Sequence, residues 1–435
     1  MATSVCVRGV RMCGVGLVIS MAAAGSPTAQ EAALSLREAL AAALIHSPQL
    51  AAYAAEVRAR EARIVQAGVA PNPVLELRAE DFGGSAATTS GEALVPPQTT
   101  VQLSQLIELG GKRAARRDLA TREREVAAWD YEAARIDMLT LVTRMFLDVL
   151  AAQRAVTLSG ETLRLAAETQ QAVANRVTAG VVSPIEATRA DVLLAASRLE
   201  GDRARRTLDA ARVRLATVIG TPPSFGPLLG DLDALPAVPS FEELRSRLNQ
   251  TPALARWITE IAQRQALVAL EQSKRRPDLT LTGGYRRYAE IGSNAVVVGV
   301  SMPLPVFDKN RGAIAEAASR VAKAREEQRT AESVVMLALA ESHRTLVIAD
   351  AEVKALKAAI IPGAEETFAA ISEGYRLGRF GYLDVLEAQR ALLTYNAQLL
   401  TALAEFHKAV ADVERLTGTR LDGVALLPPA TVRED

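Results

Sequence analysis

Pro73-Val74-Leu75-Glu76-Leu77 and Pro277-Asp278-Leu279-Thr280-Leu281 decide how this chain is read. The second stretch is the first met again 204 residues later. Both alternate apolar with polar side chains. Leu75, Leu77 and Ala79 point one way while Glu76, Arg78 and Glu80 point the other, a period of two that specifies a strand. Val101 and Leu103 alternate with Gln102 and Ser104, Leu279, Leu281 and Tyr285 with Thr280 and Thr282, and Val296, Val298, Val300 and Met302 complete the set. One apolar and one polar face suit a strand between lipid and a wet lumen, and suit equally a soluble hairpin with one buried face.

Working outward, Ser47-Pro48-Gln49-Leu50 meets Thr251-Pro252-Ala253-Leu254 at the same offset of 204. Further on, Ala179-Gly180 meets Leu377-Gly378, and Ile185-Glu186 meets Leu383-Asp384, now at 198. The slip falls near loops 81–99 and 288–295, where length differences are tolerated. The chain is therefore expected to be a tandem duplication, with repeats over 31–220 and 241–418, a bridge over 221–240 carrying Pro222, Pro223, Pro227, Pro236 and Pro239, and a tail over 419–435.

Each repeat reads as a helix, two strands, a very long helix, a turn and a returning helix. The first helices are expected over 36–69 and 241–274. Strands are expected over 73–82, 98–107, 277–288 and 294–304. Long helices are expected over 112–178 and 310–377, returning helices over 184–219 and 382–417. A 112–178 helix would measure about 100 Å at 1.5 Å per residue. No proline interrupts it, whereas Pro362 is expected to kink its counterpart. Val385, Leu392, Leu399, Phe406 and Val413 recur every seven residues, a coiled-coil seam rather than the stripe of a helix on a compact core.

Residues 1–30 read as a secretory signal peptide: Arg8 and Arg11, a short apolar stretch from Val15 to Ala24, and Pro27-Thr28-Ala29 as the cleavage region. Cys6 and Cys13, the only cysteines, fall inside it, so no disulfide or cysteine metal site is expected in the mature chain. Lys+Arg and Asp+Glu both number 50, which gives no basic excess for nucleic acid. No stretch after residue 30 offers about 20 uncharged apolar residues, so membrane insertion would have to use strands. Four strands cannot close a barrel, and open edges cannot stay unpaired in lipid, so several chains would pool them.

With these features in place, the chain resembles the TolC family of outer-membrane efflux channels across essentially all of its mature length. Within it, Leu103-Ser104-Gln105-Leu106-Ile107-Glu108-Leu109-Gly110-Gly111-Lys112-Arg113 and Pro303-Leu304-Pro305-Val306-Phe307-Asp308-Lys309-Asn310-Arg311-Gly312 resemble the cobalt–zinc–cadmium resistance branch. The resemblance implies a mainly α fold with a small β part. It implies a homotrimer in the outer membrane with a twelve-stranded barrel and a periplasmic α-barrel. It also implies an inner-membrane resistance–nodulation–division pump, a periplasmic adaptor, outer-membrane lipid as surroundings, and a passive duct for divalent metal cations. Drug or organic-solvent efflux by the same fold is the alternative, and a periplasmic coiled-coil adaptor or scaffold a more distant one.

Gly110, Gly111, Pro303 and Pro305 are expected to set the bend from barrel to helix. The resemblance places the adaptor-docking tips at Val177, Gly180, Val181 and Ser183 and at Leu377, Gly378 and Phe380. It places an acidic constriction at Asp384 and Glu387, one helical turn apart, which a trimer would turn into carboxylate rings favouring cations. Tyr375 matches a position that helps hold the tip closed. Phe380 occupies the family's tip-arginine position, with Arg379 beside it. Plain hairpin turns would explain the same glycines and Pro184, and acids favour a first helical turn anyway. His46, His343 and His407 are scattered and form no metal-spaced pair, and no nucleophile or phosphate-cradle motif is present. No catalysis, cofactor or metal site is expected.

Overall fold

The computed structural model describes residues 33–81, 97–248, 251–289 and 292–421. The expected signal peptide, the end of the expected 73–82 strand with most of the loop after it, and the tail beyond 421 lie outside the described residues.

Strand β1 (Leu34–Ser35) leads into helices α1 (Leu36–His46) and α2 (Pro48–Ala67), then β2 (Val74–Glu80), β3 (Gln98–Ile107), α3 (Lys112–Thr178) and α4 (Pro184–Ile219). After β4 (Leu228–Leu229) the order returns as α5 (Phe241–Arg247), α6 (Pro252–Ser273), β5 (Leu279–Tyr288), β6 (Asn294–Ser301), α7 (Arg311–Ala355), α8 (Ile361–Arg376) and α9 (Tyr382–Thr417). The short parallel pairing of β1 with β4 has no sequence signal.

Two expected helices are each split in two. Pro48 and Pro252 have no N–H to continue a helix and clash with the preceding turn. Ser47, extended at φ −70° and ψ 112°, ends α1 and starts α2 by accepting the Leu50 N–H at 3.3 Å. Thr251 occupies the equivalent place before α6. The second long helix also departs from expectation. Where α3 runs unbroken for 67 residues, α7 gives way to a π-helical turn over Leu356–Ile360 before α8. Pro362 is the cause: it offers no N–H, and its ring pushes away the carbonyl four residues back.

The sheet order is β2-β3-β5-β6, all antiparallel, so β3 and β5 join the hairpins of the two repeats. The register aligns Leu77, Val101, Tyr285 and Val296 in one row and Leu103 with Gly283 and Val298 in the next. These rows make one exposed apolar face, with Leu77 at 72% and Val298 at 80% exposure. The opposite face carries Gln102, whose amide donates to Glu76 (2.6 Å), and Arg286, which donates to Thr100 (3.0 Å). Edge strands β2 and β6 are each paired on one side only. Among the described residues no helix is long and apolar enough to cross a membrane.

The largest core lies where the bridge between the repeats crosses the helices. Val142, Phe146 and Val149 of α3, Leu215 and Ile219 of α4, and Leu228 pack there. The bridge is tied down through its backbone: Gln153 accepts the Leu228 N–H (3.1 Å), and His407 and His343 lie 2.9 and 3.1 Å from the carbonyls of Leu232 and Pro239. A second core joins Leu339 and Leu346 of α7 to Phe406 and Val413 of α9.

Candidate functional site

The two helical hairpins end in turns built by the same backbone device. In the first, Gly180 (φ +71°) donates to the Val177 carbonyl at 2.9 Å and Val181 to the Arg176 carbonyl at 3.0 Å. In the second, Gly378 (φ +77°) donates to Tyr375 at 3.0 Å and Arg379 to Gly374 at 2.8 Å. This is the Schellman motif, whose left-handed position glycine takes without a Cβ penalty. The chain then restarts differently. Ser183 accepts the Ile185 N–H at 3.4 Å, whereas at the second tip Asp384 reaches back to accept the Gly381 N–H at 2.8 Å.

Between the tips lies a small core of Val173, Ala190, Tyr382 and Leu386. Tyr375 packs at its edge, its ring 5.9 Å from that of Tyr382. Arg176 crosses from the first repeat, donates to the Tyr375 carbonyl at 2.9 Å and lies 4.2 Å over the Tyr375 ring. Tyr375 in turn donates to Glu186 at 3.4 Å. The two repeats are thus clasped through Arg176, Glu186, Tyr375 and Tyr382. Burial raises the pKa of both phenols and takes that of Tyr382 to about 12, because a phenolate there would lose its water. The Tyr382 hydroxyl is buried without a hydrogen-bond partner.

The expected site residues divide into three groups. Tyr375 sits in the clasp. Asp384 is exposed and spends one carboxylate oxygen on its own helix start. Glu387 and Arg379 are exposed, and their side chains make no hydrogen bond or ion pair among the described residues. Glu387 lines an open groove of about 640 Å³ between α4 and α9 with Arg189, Leu193, Leu383 and Arg390. Val181, Leu377 and Phe380 leave 62, 57 and 48% of their surface exposed at the extreme tips. Phe380 also lays its ring over Gly374, where any Cβ would overlap it. Arg176, Glu186 and Tyr382 were missed as site residues. The only sequence hint was that Glu186 occupies the repeat position of Asp384.

At the other end of the helices, Gly110 and Gly111 both take φ +76° before α3 starts. A Cβ at Gly110 would come within 2.9 Å of the Arg276 side chain. Asp278 joins the repeats by accepting the Leu109 N–H (3.0 Å) and Lys112 Nζ (2.6 Å). Pro303 and Pro305 lie in the unpaired stretch that leaves β6, where the Val306 N–H donates to the Leu304 carbonyl at 2.8 Å.

A single-layer sheet with an exposed apolar face, carried on helical hairpins whose longest helix, α3, measures about 100 Å, defines a class: a channel component that inserts strands into a membrane and extends helices away from it. The chain belongs to the outer membrane efflux protein family, which it matches over residues 39–221 and 244–419. It is 37% identical over 396 residues to the cobalt-zinc-cadmium resistance protein CzcC of Cupriavidus metallidurans, covering 91% of each chain. It is 28% identical to the nickel-cobalt-cadmium resistance protein NccC of Alcaligenes xylosoxydans xylosoxydans, covering 71% of this chain and 69% of that one. The fold is that of CusC (TM-score 0.74, 15% identity, 88% of this chain and 91% of that one). It is also that of the outer membrane protein VceC from Vibrio cholerae (TM-score 0.72, 18% identity, 88% and 96%). The protein is an outer-membrane protein of the TolC type, mainly helical with a small four-stranded sheet.

Proposed function

We propose that this chain is the exit duct of a tripartite efflux system and passes divalent heavy-metal cations delivered by an inner-membrane pump and a periplasmic adaptor. The observation that carries the duct is the sheet: four strands, two open edges and one exposed apolar face. In lipid each unpaired backbone group costs several kcal/mol, so edges must be closed by further copies. Three copies give the twelve strands that the family resemblance implies, and their hairpins close a helical tube below. The metal preference is supported by the 37% identity over nearly the whole chain to a protein of cobalt, zinc and cadmium resistance.

The tips are the gate in this reading. Arg176, Glu186 and Tyr375 hold the second hairpin against the first within each protomer. Asp384 and Glu387, exposed one turn apart, line the constriction as two carboxylate rings that favour cations. Val181, Leu377 and Phe380, together with Val177 and Ser183, present the surface to the adaptor. The test is conductance in planar bilayers of protein extracted from outer membranes, as wild type and as Asp384→Ala with Glu387→Ala. Small cation-selective currents that lose selectivity in the double variant are the expected result. Channels of unchanged selectivity would retain the duct and discard the acidic gate. Substrate is read separately, from growth of cells carrying or lacking this chain on zinc, cobalt, cadmium and an organic drug. Protection against the drug alone would overturn the metal reading.

A further inference from the structure

The apolar alternation of β6 continues in the sequence past its last pairing. Ser301 is its last paired residue, yet Met302, Leu304 and Val306 continue the period of two set by Val296, Val298 and Val300. All three are exposed, and Phe307 beside them is 100% exposed. These residues join β6 to α7, at the end of the sheet where the helices begin, which in the duct reading is its periplasmic end. The stretch is held in place: the Asp308 carboxylate accepts the Asn310 N–H at 2.8 Å, and the Asn310 amide donates to the Glu271 carbonyl at 2.9 Å and carboxylate at 2.8 Å. Leu304 and Phe307 line an open groove of about 450 Å³ with Pro303, Pro305, Lys112, Lys274 and Arg275.

The charges around that groove do not cancel internally. Lys112 is paired with Asp278 and Lys274 with Glu271, both at 2.6 Å. Arg275 of the lining, and Lys309 and Arg311 just after Asp308 in the chain, are exposed, and their side chains make no ion pair or hydrogen bond among the described residues. Asp308 is the one carboxylate of the lining without a cation, and it is engaged with the Asn310 backbone. Exposed apolar side chains at the foot of a lipid-facing surface, next to unpaired cations, match a phospholipid: acyl chain against Leu304 and Phe307, phosphate against Arg275 and Lys309.

We propose that this rim is a headgroup site for anionic phospholipid of the inner leaflet of the outer membrane. It rests on the sheet being membrane-inserted. The test uses the full chain extracted from outer membranes, with phosphatidylglycerol or phosphatidylcholine retention read by native mass spectrometry. Wild type is expected to retain phosphatidylglycerol in preference. Arg275→Gln with Lys309→Gln is expected to lower that retention by about fivefold per cation removed and leave phosphatidylcholine unchanged. Phe307→Ser is expected to lower retention of both lipids, and Arg275→Lys to preserve the preference. Equal retention of the two lipids by wild type, or no change in the charge variant, overturns the proposal. Displacement of the lipid by inorganic phosphate would identify a simple phosphate site instead. Fewer assembled oligomers with unchanged lipid per chain would make the rim a contact with a neighbouring copy. Bilayer conductance of the same preparations reads the duct independently. A charge variant that conducts normally but loses its lipid preference bears on this site alone, and failure of all variants to conduct bears on the duct alone.

Discussion

The two hairpin tips share a backbone and differ in almost every side chain that matters. Both close with the same pair of hydrogen bonds around a left-handed glycine. The first tip is approached by an unbroken 67-residue helix and restarts on Ser183-Pro184. The second is approached through a π-helical turn at Leu356–Ile360 and restarts on Gly381 with Asp384. Tyr382, the buried anchor of the second tip, stands at the repeat position of exposed Pro184. The two turns are alike, but the first follows an unbroken helix and the second a helix interrupted by a π-helical turn, with Arg176 and Glu186 tying the second to the first.

The largest test of this asymmetry is truncation at the paired positions. Tyr382→Ala is expected to cost about 3–5 kcal/mol of tip stability, as other buried aromatic deletions do. Pro184→Ala should cost under about 1 kcal/mol. Hydrogen exchange of the tip amides compares the two, and equal effects would break the distinction between them. Tyr382→Phe sharpens it, because removing an unpartnered hydroxyl should leave stability unchanged or raise it by about 1 kcal/mol. A loss would mean that the hydroxyl finds a partner in the assembled oligomer.

Alkali should act on the second tip. The folded state favours the neutral Tyr382 phenol, with its pKa raised from 10.0 to about 12 by burial. Its stabilisation is fully present below about pH 10 and is lost as pH rises through about 12, an effect of roughly 3 kcal/mol. Near-ultraviolet phenolate absorbance should therefore show a late-titrating tyrosine that disappears in Tyr382→Phe.

Arg176→Ala removes a hydrogen bond to a carbonyl and a cation–π contact, together about 1–3 kcal/mol. It should raise single-channel conductance by loosening the clasp. Arg376→Ala, at the second tip, touches only Glu373 on the surface and should leave conductance unchanged. The smallest expected effect is Ser183→Ala, about 0.5–1 kcal/mol for a long capping bond. Thermal melting of helical circular dichroism would detect it, and a larger loss would mean that the first tip depends on its cap as the second depends on Tyr382.

The repeat, the period-two strands and the unbroken α3 were legible because each follows from local rules: spacing, alternation and the absence of proline. Less was legible where a local signal has two outcomes. Pro48 and Pro252 can open a new helix or merely end a turn, and only the extended backbone at Ser47 and Thr251 shows that both expected helices break there. Pro362 announced a bend, but not that a π-helical turn would absorb it. At the tips, Gly180 and Gly378 foretold the turns, yet nothing near Arg176 in the chain pointed to Tyr375, 199 residues away.

The sequence by itself determined the two-fold pattern, the four strands of the main sheet, the long helix α3 and the family, because periodicity and turn chemistry act between near neighbours. The tertiary structure decided which side chains meet across the two repeats: Arg176 with Tyr375, Lys112 with Asp278, and β3 with β5. Those meetings depend on how two similar halves pack against each other, and long-range packing leaves no periodic trace in the chain that forms it.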